Sequence, residues 1–190
     1  MAKSTSHLST KVPSLLQRSQ IRILHVDDEI SFLEVAKQIL ELQEPFSVEI
    51  ASSTTEAVEK MNSEAFDVLV ADYQMPQENG LQFLRKLREN GHTIPYIIFS
   101  ARASSQVVVE AINSGADSYF SKIGNPEKVY AELGRGIRQA AERKRLGDAL
   151  ETSEERYRLL IKTLSDVVET FNQSDKCSRI AIKATADSKT

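Results

Sequence analysis

The stretch FDVLVADYQMPQENG, running from Phe66 to Gly80, decides the fold. Its first half is a near-continuous apolar run (Phe66, Val68, Leu69, Val70, Ala71) with no helical period. That is how a strand buried on both faces of a parallel sheet reads. The run stops on a carboxylate, Asp72, and Met75-Pro76 and Asn79-Gly80 then punctuate a loop. Open α/β sheets carry their chemistry at the carboxyl ends of their strands. A lone Asp in that position more often just starts a turn, so the meaning of Asp72 depends on the other strand ends.

Upstream, Ile21 to Val26 reads as a first strand that ends on Asp27-Asp28-Glu29. A helix follows, with Ile30, Leu33, Ala36, Ile39 and Leu40 on one face. One acid of the three serves the helix start by complementing its dipole and free N–H groups. Two adjacent carboxylates at a strand end repel more than capping requires, and a shared cation would remove the repulsion. Val48 to Ala51 is a second, short strand. Ser53-Thr-Thr-Glu56 is a capping box opening a helix that carries Ala57, Val58 and Met61. Downstream of Asp72, a helix sets Leu81, Leu84 and Leu87 inward, with Arg85, Lys86 and Arg88 as a solvated face, and Gly91 ends it. Ile94 to Phe99 is a fourth strand that ends on Ser100. A weaker helix runs from Ser105 through Val108, Val109 and Ile112 to Gly115. Asp117 to Ser121 is a fifth strand ending on Lys122, and Asn125-Pro126 caps and opens the last helix.

Five strands alternating with five helices predict an α/β, doubly wound, five-stranded parallel sheet. Right-handed crossovers place every strand end on one edge of that sheet. Three carboxylates (Asp27, Asp28, Asp72), the Ser100 hydroxyl and the Lys122 ammonium therefore converge. Such a pocket suits Mg²⁺, a hard cation that takes oxygen ligands. A carboxylate beside it can attack phosphorus, while hydroxyl and ammonium hold the remaining phosphoryl oxygens. The chemistry is formation of an aspartyl phosphate on Asp72. A phosphohydrolase would need a second acid as general base and a substrate pocket, and neither is visible.

At these residues the chain resembles the receiver domain of two-component response regulators, a flavodoxin-like fold, over roughly Gln20 to Arg143. The resemblance implies Asp72 as phosphoacceptor, Asp28 as direct Mg²⁺ ligand and Asp27 as a ligand through water. The Gln74 backbone carbonyl would complete the protein's metal ligands. It implies that Ser100 hydrogen-bonds the phosphoryl group, that Lys122 pairs with it, and that Tyr119 is the switch aromatic. The alternative for Tyr119 is an edge aromatic covering the sheet. Gln74 and Arg102 fall at positions that tune the phosphoryl lifetime in the family. The family usually follows its lysine with a cis proline, and here Ile123 stands instead, so the loop before the last helix should differ. The implied phosphodonor is a histidine kinase or a phosphotransfer protein. No Gly-rich ATP box accompanies His7, His25 or His92, so the chain is expected to receive phosphate and not to act as an enzyme that makes it from ATP.

With 190 residues, the chain can hold one ordinary domain plus an extension. A net charge of -3 gives no electrostatic footprint for nucleic acid or an acidic membrane surface. The single cysteine, Cys177, excludes a disulfide framework within the chain. The absence of a membrane-length apolar run or signal peptide leads to the expectation of a cytoplasmic protein without membrane contact. Residues 1–19 are polar and non-periodic, the pattern of a disordered leader, and 20–143 form the receiver. In 144–171 Leu150, Tyr157, Leu160, Leu164, Val167 and Phe171 step by threes and fours, with Ser153 in one slot. That is a coiled-coil-like seam suited to a homodimer, out of phase with the preceding Tyr130, Leu133, Ile137 and Ala140. The alternative is a solvated helix packed back on the receiver. Ala149 to Leu160 also resembles the signalling helix that leads into PAS sensor domains, with Leu164-Ser-Asp-Val-Val like the start of one. Residues 172–190 are a polar tail. The competing functions are a docking or phosphate-sink receiver without its own output and, more distantly, a small Mg²⁺-dependent phosphatase.

Overall fold

The computed structural model describes residues 20–187 apart from 44 and 103, with side chains described as far as residue 165. The expected leader lies outside the described residues. Five strands and five helices alternate: β1 (Ile21–Val26), α1 (Ile30–Gln43), β2 (Phe46–Ala51), α2 (Thr54–Ser63), β3 (Val68–Ala71), α3 (Gly80–Glu89), β4 (Tyr96–Ser100), α4 (Ser105–Asn113), β5 (Ser118–Ser121) and α5 (Pro126–Asp187). The strands form one parallel sheet in the order β2-β1-β3-β4-β5.

Alternation along each strand divides the core into two layers. Ile23, Val68, Val70, Ile97 and Phe99 face α1 and the start of α5, where Ala36, Leu40, Tyr130, Leu133 and Ile137 meet them. Leu24, Val26, Leu69, Ala71 and Ile98 face the other way, onto Ala57, Leu81, Phe83, Leu84, Leu87 and Ala111. Because β3 and β4 are covered on both sides, all their residues are buried. This is why their sequences read as unbroken apolar runs. The winding reverses between β1 and β3, which is where doubly wound sheets open their ligand crevice.

Local structure departs from the sequence expectation in several places, the first being Ile30, which opens α1 but is exposed instead of sharing the buried face of Leu33, Ala36 and Leu40. Ser53 caps α2 by accepting from the Glu56 N–H, but the Glu56 carboxylate turns to the Ser52 N–H and hydroxyl and not to the cap itself. The complete capping box belongs instead to α3, where Asn79 accepts from Gln82 N–H and the Gln82 side chain accepts from Asn79 N–H. In α4 only Ala111 is buried, while Val109 and Ile112 face solvent. The apolar pattern of α4 is thus a surface and not a core face. Helix α5 continues to Asp187, through the segment read as a polar tail. The chain divides into two compact units, 1–141 and 142–190. In the first, Tyr130, Leu133, Ile137 and Ala140 are buried. In the second, Leu146, Leu150, Tyr157, Leu160 and Leu164 are exposed.

Candidate functional site

Each polar residue in the site is aimed by a strand that ends under it. The Asp27 N–H donates to the Ala51 carbonyl at 3.1 Å and the Asp72 N–H to the Val26 carbonyl at 2.9 Å. Sheet pairing therefore continues one residue past β1 and β3 and fixes both carboxylates at the reversal point. On the other side, the Lys122 N–H donates to the Ser100 carbonyl at 2.9 Å, so β4 and β5 deliver their terminal residues in the same way. Asp27, Asp72 and Ser100 are buried, at 2%, 6% and 1% exposure.

The centre of the site is the Lys122 ammonium, which lies 2.5 Å from Asp27 Oδ2 and 2.7 Å from Asp72 Oδ1. The remaining carboxylate oxygens are held by backbone. Asp27 Oδ1 accepts from the Glu29 N–H at 3.0 Å and Asp72 Oδ2 from the Gln74 N–H at 2.5 Å. Burial pushes the Asp27 carboxyl above the ordinary range, and Lys122 and the Glu29 N–H pull it back. Neighbouring Asp72 adds to the upward push. Two buried like charges of this kind persist only with a cation between them, and here that cation is Lys122.

Asp28 and Gln74, close to the buried Asp27 and Asp72 in sequence, are exposed. The donor types are all hard oxygens, which fits a small divalent cation. Among the described residues, however, no three acidic or imidazole side chains stand together as a ready metal cage. Both buried carboxylates are closed on Lys122, so a metal would share its charge compensation with that ammonium. Of the expected ligand groups, the fold brings the Asp27 and Asp72 carboxylates together, on either side of the Lys122 ammonium.

The Ser100 hydroxyl accepts from the Arg102 N–H at 3.3 Å, and Arg102 itself is exposed. Tyr119 is half-buried, and its hydroxyl is shielded from solvent without a well-formed hydrogen bond. Burial raises the phenol pKa, and the neighbouring Ser100 hydroxyl acts in the opposite direction. Beyond Lys122 the chain has no cis peptide among the described residues, Ile123 is exposed, and Gly124 turns the loop at a φ of 144°.

Sequence reasoning passed over several residues that build this site. Phe32 from α1 presents its ring to Lys122 Nζ at 4.4 Å, and Phe99 from β4 lies 5.8 Å away. Tyr96 is fully buried and its hydroxyl donates to the Gly80 carbonyl at 2.7 Å. Gly80 also sits so close to β3 that an added Cβ would meet the Asp72 carbonyl oxygen at 2.1 Å. His25 is wholly buried beside Phe32 and Phe99, and neither ring nitrogen has a hydrogen-bond partner. The signals were a polar residue amid apolar ones in the first strand and a tyrosine within the fourth. Phe32 carried no signal, because an aromatic at helical spacing reads as core.

A family model described as the response regulator receiver domain matches residues 23–133. Transcriptional regulatory protein TrcR of Mycobacterium tuberculosis is 35% identical over 130 residues, covering 68% of this chain and 50% of that protein. Response regulator MprA of Mycobacterium bovis is 32% identical over 165 residues, covering 87% of this chain and 68% of that protein. The chain thus spans half the length of the first relative and about two thirds of the second. Among solved structures, the receiver domain of Francisella response regulator 1452 matches with a TM-score of 0.60 at 27% identity, covering 66% of this chain and 99% of that one. A CheY-like receiver domain protein from Methanospirillum hungatei matches with a TM-score of 0.57 at 30% identity, covering 66% and 99%.

Proposed function

The chain belongs to the response regulator receiver domain family, and from that premise we propose that Asp72 accepts a phosphoryl group in a phosphorelay. The observation that carries the assignment is the placement of Lys122 Nζ at 2.7 Å from a buried Asp72 oxygen at the reversal point of the sheet. The donor is a phosphohistidine on a histidine kinase or phosphotransfer protein. An Asp72 oxygen forms the new O–P bond as the N–P bond breaks, and the bonding pair returns to the imidazole nitrogen. Asp27, Asp28, Asp72 and the Gln74 carbonyl would hold Mg²⁺, which when bound neutralises charge on the phosphoryl oxygens.

The protein's own groups do the rest. Lys122 leaves its carboxylate contact to pair with a phosphoryl oxygen. The Ser100 hydroxyl donates to another, and its shift toward the phosphoryl group opens space into which Tyr119 turns. The proximity of the Tyr119 phenol to Ser100 supports that reading, since it puts the aromatic beside the hydroxyl that moves. Gln74 and Arg102, both exposed beside the crevice, control the approach of water and hence the lifetime of the acyl phosphate. The chain acts in this reading as a phosphoacceptor with its own phosphorylation and dephosphorylation chemistry, not as a phosphatase of external substrates.

We assign residues 144–171 to a homodimerising signalling helix of the kind that leads into PAS domains. The exposure of Leu150, Tyr157, Leu160 and Leu164 at heptad spacing supports it. The Val167 and Phe171 steps lie beyond the described side chains.

The test is intact-protein mass after incubation with Mg²⁺ and acetyl phosphate. Wild type should gain one labile phosphoryl adduct and Asp72→Asn none. An adduct that survives Asp72→Asn, or no adduct on wild type, would sink the assignment.

A further inference from the structure

Asp27 and Asp72 hold the Lys122 ammonium on one side, and the groups on its other side set how firmly it stays there. Immediately after Lys122 the loop offers little support: Ile123 is exposed and Gly124 takes a φ of 144°. Along its stem, Lys122 borders a cavity of about 420 Å³ shared with Phe32, Phe99, Val129 and Tyr130. A flexible four-carbon chain beside such a space has room to swing away from the acids. The ammonium donates a hydrogen bond to Asp27 and ion-pairs with Asp72. Phe32 covers the ammonium with its ring face at 4.4 Å from the centroid. That ring is itself fixed against Phe99, at 5.9 Å between centroids, and against His25, at 6.1 Å.

We propose that Phe32 is a positioning residue for Lys122, holding the ammonium on the phosphoacceptor carboxylate by a cation–π contact across the α1–β5 gap. The physical advantage lies in what the ring does not do. A carboxylate in the same place would hold the lysine equally well but would neutralise it, competing with the incoming phosphoryl oxygens. A neutral π face attracts the cation through its quadrupole and leaves the full positive charge available. It also keeps water off the ammonium, which strengthens its pull on phosphoryl oxygens. The role rests on the receiver reading, with Lys122 as the phosphoryl partner.

The discriminating variants are Phe32→Leu, which keeps apolar cover but removes the ring, and Phe32→Tyr, which keeps the ring. A ring face over the ammonium shields the neighbouring Lys122 ε-methylene protons, giving them an upfield NMR shift. That shift should be present in wild type and in Phe32→Tyr and absent in Phe32→Leu. The rate constant for acyl phosphate formation from acetyl phosphate at saturating Mg²⁺ should fall about tenfold in Phe32→Leu, with Phe32→Tyr recovering most of it. Superimposable amide spectra away from Phe32 identify folded variants, and Phe99→Leu serves as a second probe of the same aromatic floor. A wild-type ε-methylene shift without ring shielding overturns the proposal, as does an unchanged rate in Phe32→Leu. If wild type forms no adduct at all, the phosphoacceptor reading fails, while the NMR shift still reports the Phe32–Lys122 geometry.

Discussion

His25 carries an imidazole into the middle of the sheet, where it is wholly buried and neither nitrogen is hydrogen-bonded. Burial, helped by the nearby Lys122 charge, lowers its pKa from 6.5 to about 3. The folded protein therefore keeps a neutral ring where the unfolded chain takes up a proton. Stability should be unaffected by this group above pH 6.5 and should fall with pH from there down to about 3. At pH 5 the loss amounts to about 2 kcal/mol. In metal-free buffer, urea unfolding of His25→Leu should show a flatter acid limb than wild type, and equal slopes for the two proteins would contradict the account. The same residue shows why single positions are hard to read in a sequence. His25 looked like an ordinary strand residue, and only the packing of Phe32 and Phe99 around it revealed its isolation.

Helix α3 does at the scale of an element what no single residue does: it sets the path of the loop that carries Asp72 and Gln74. Its first turn is held by the Asn79–Gln82 capping box, by the Gly80 N–H on the Tyr73 carbonyl at 3.0 Å, and by the Tyr96 hydroxyl on the Gly80 carbonyl at 2.7 Å. Losing the cap in Asn79→Ala should cost about 1 kcal/mol. Gly80→Ala should cost more, because its Cβ would meet backbone, which cannot swing aside. Thermal melts check the order, and phosphorylation by acetyl phosphate checks the loop. Both variants should slow adduct formation, Gly80→Ala the more; a slower Asn79→Ala would count against the close-approach argument. Asn79-Gly80 was legible as a boundary. The need for glycine was not, because the atom that excludes a side chain belongs to Asp72, eight residues earlier, and only the path of the folded loop brings it back against Gly80.

On the scale of the whole molecule, the chain divides after Ala141 into a unit with its own core and a helical unit in which the described large apolar residues, Leu146 to Leu164, are exposed. The change falls where the seam of Tyr130, Leu133, Ile137 and Ala140 gives way to that of Leu150, Tyr157, Leu160 and Leu164. A protein of residues 20–143 should fold with a melting temperature close to that of the full chain, since both core layers lie within it. The full chain should sediment as a dimer at micromolar concentration, and Leu150→Ser with Leu160→Ser and Leu164→Ser as a monomer. A monomeric wild type, or a triple variant still dimeric, would remove the seam from the account.

What the sequence determined by itself was the class of fold and the roster of polar residues at the strand ends. Buried parallel strands are written as apolar runs, and a charged residue can close such a run only where the strand leaves the core. That rule locates Asp27 and Asp72, and the same position at the ends of the fourth and fifth strands marks Ser100 and Lys122. The tertiary structure decided what depends on residues far apart in the chain: Lys122 closing on Asp27 and Asp72, Phe32 covering Lys122, Tyr96 anchoring Gly80, and the outward face of α4. Periodicity records which side of an element is apolar. It carries no record of which partner crosses the sheet to meet it.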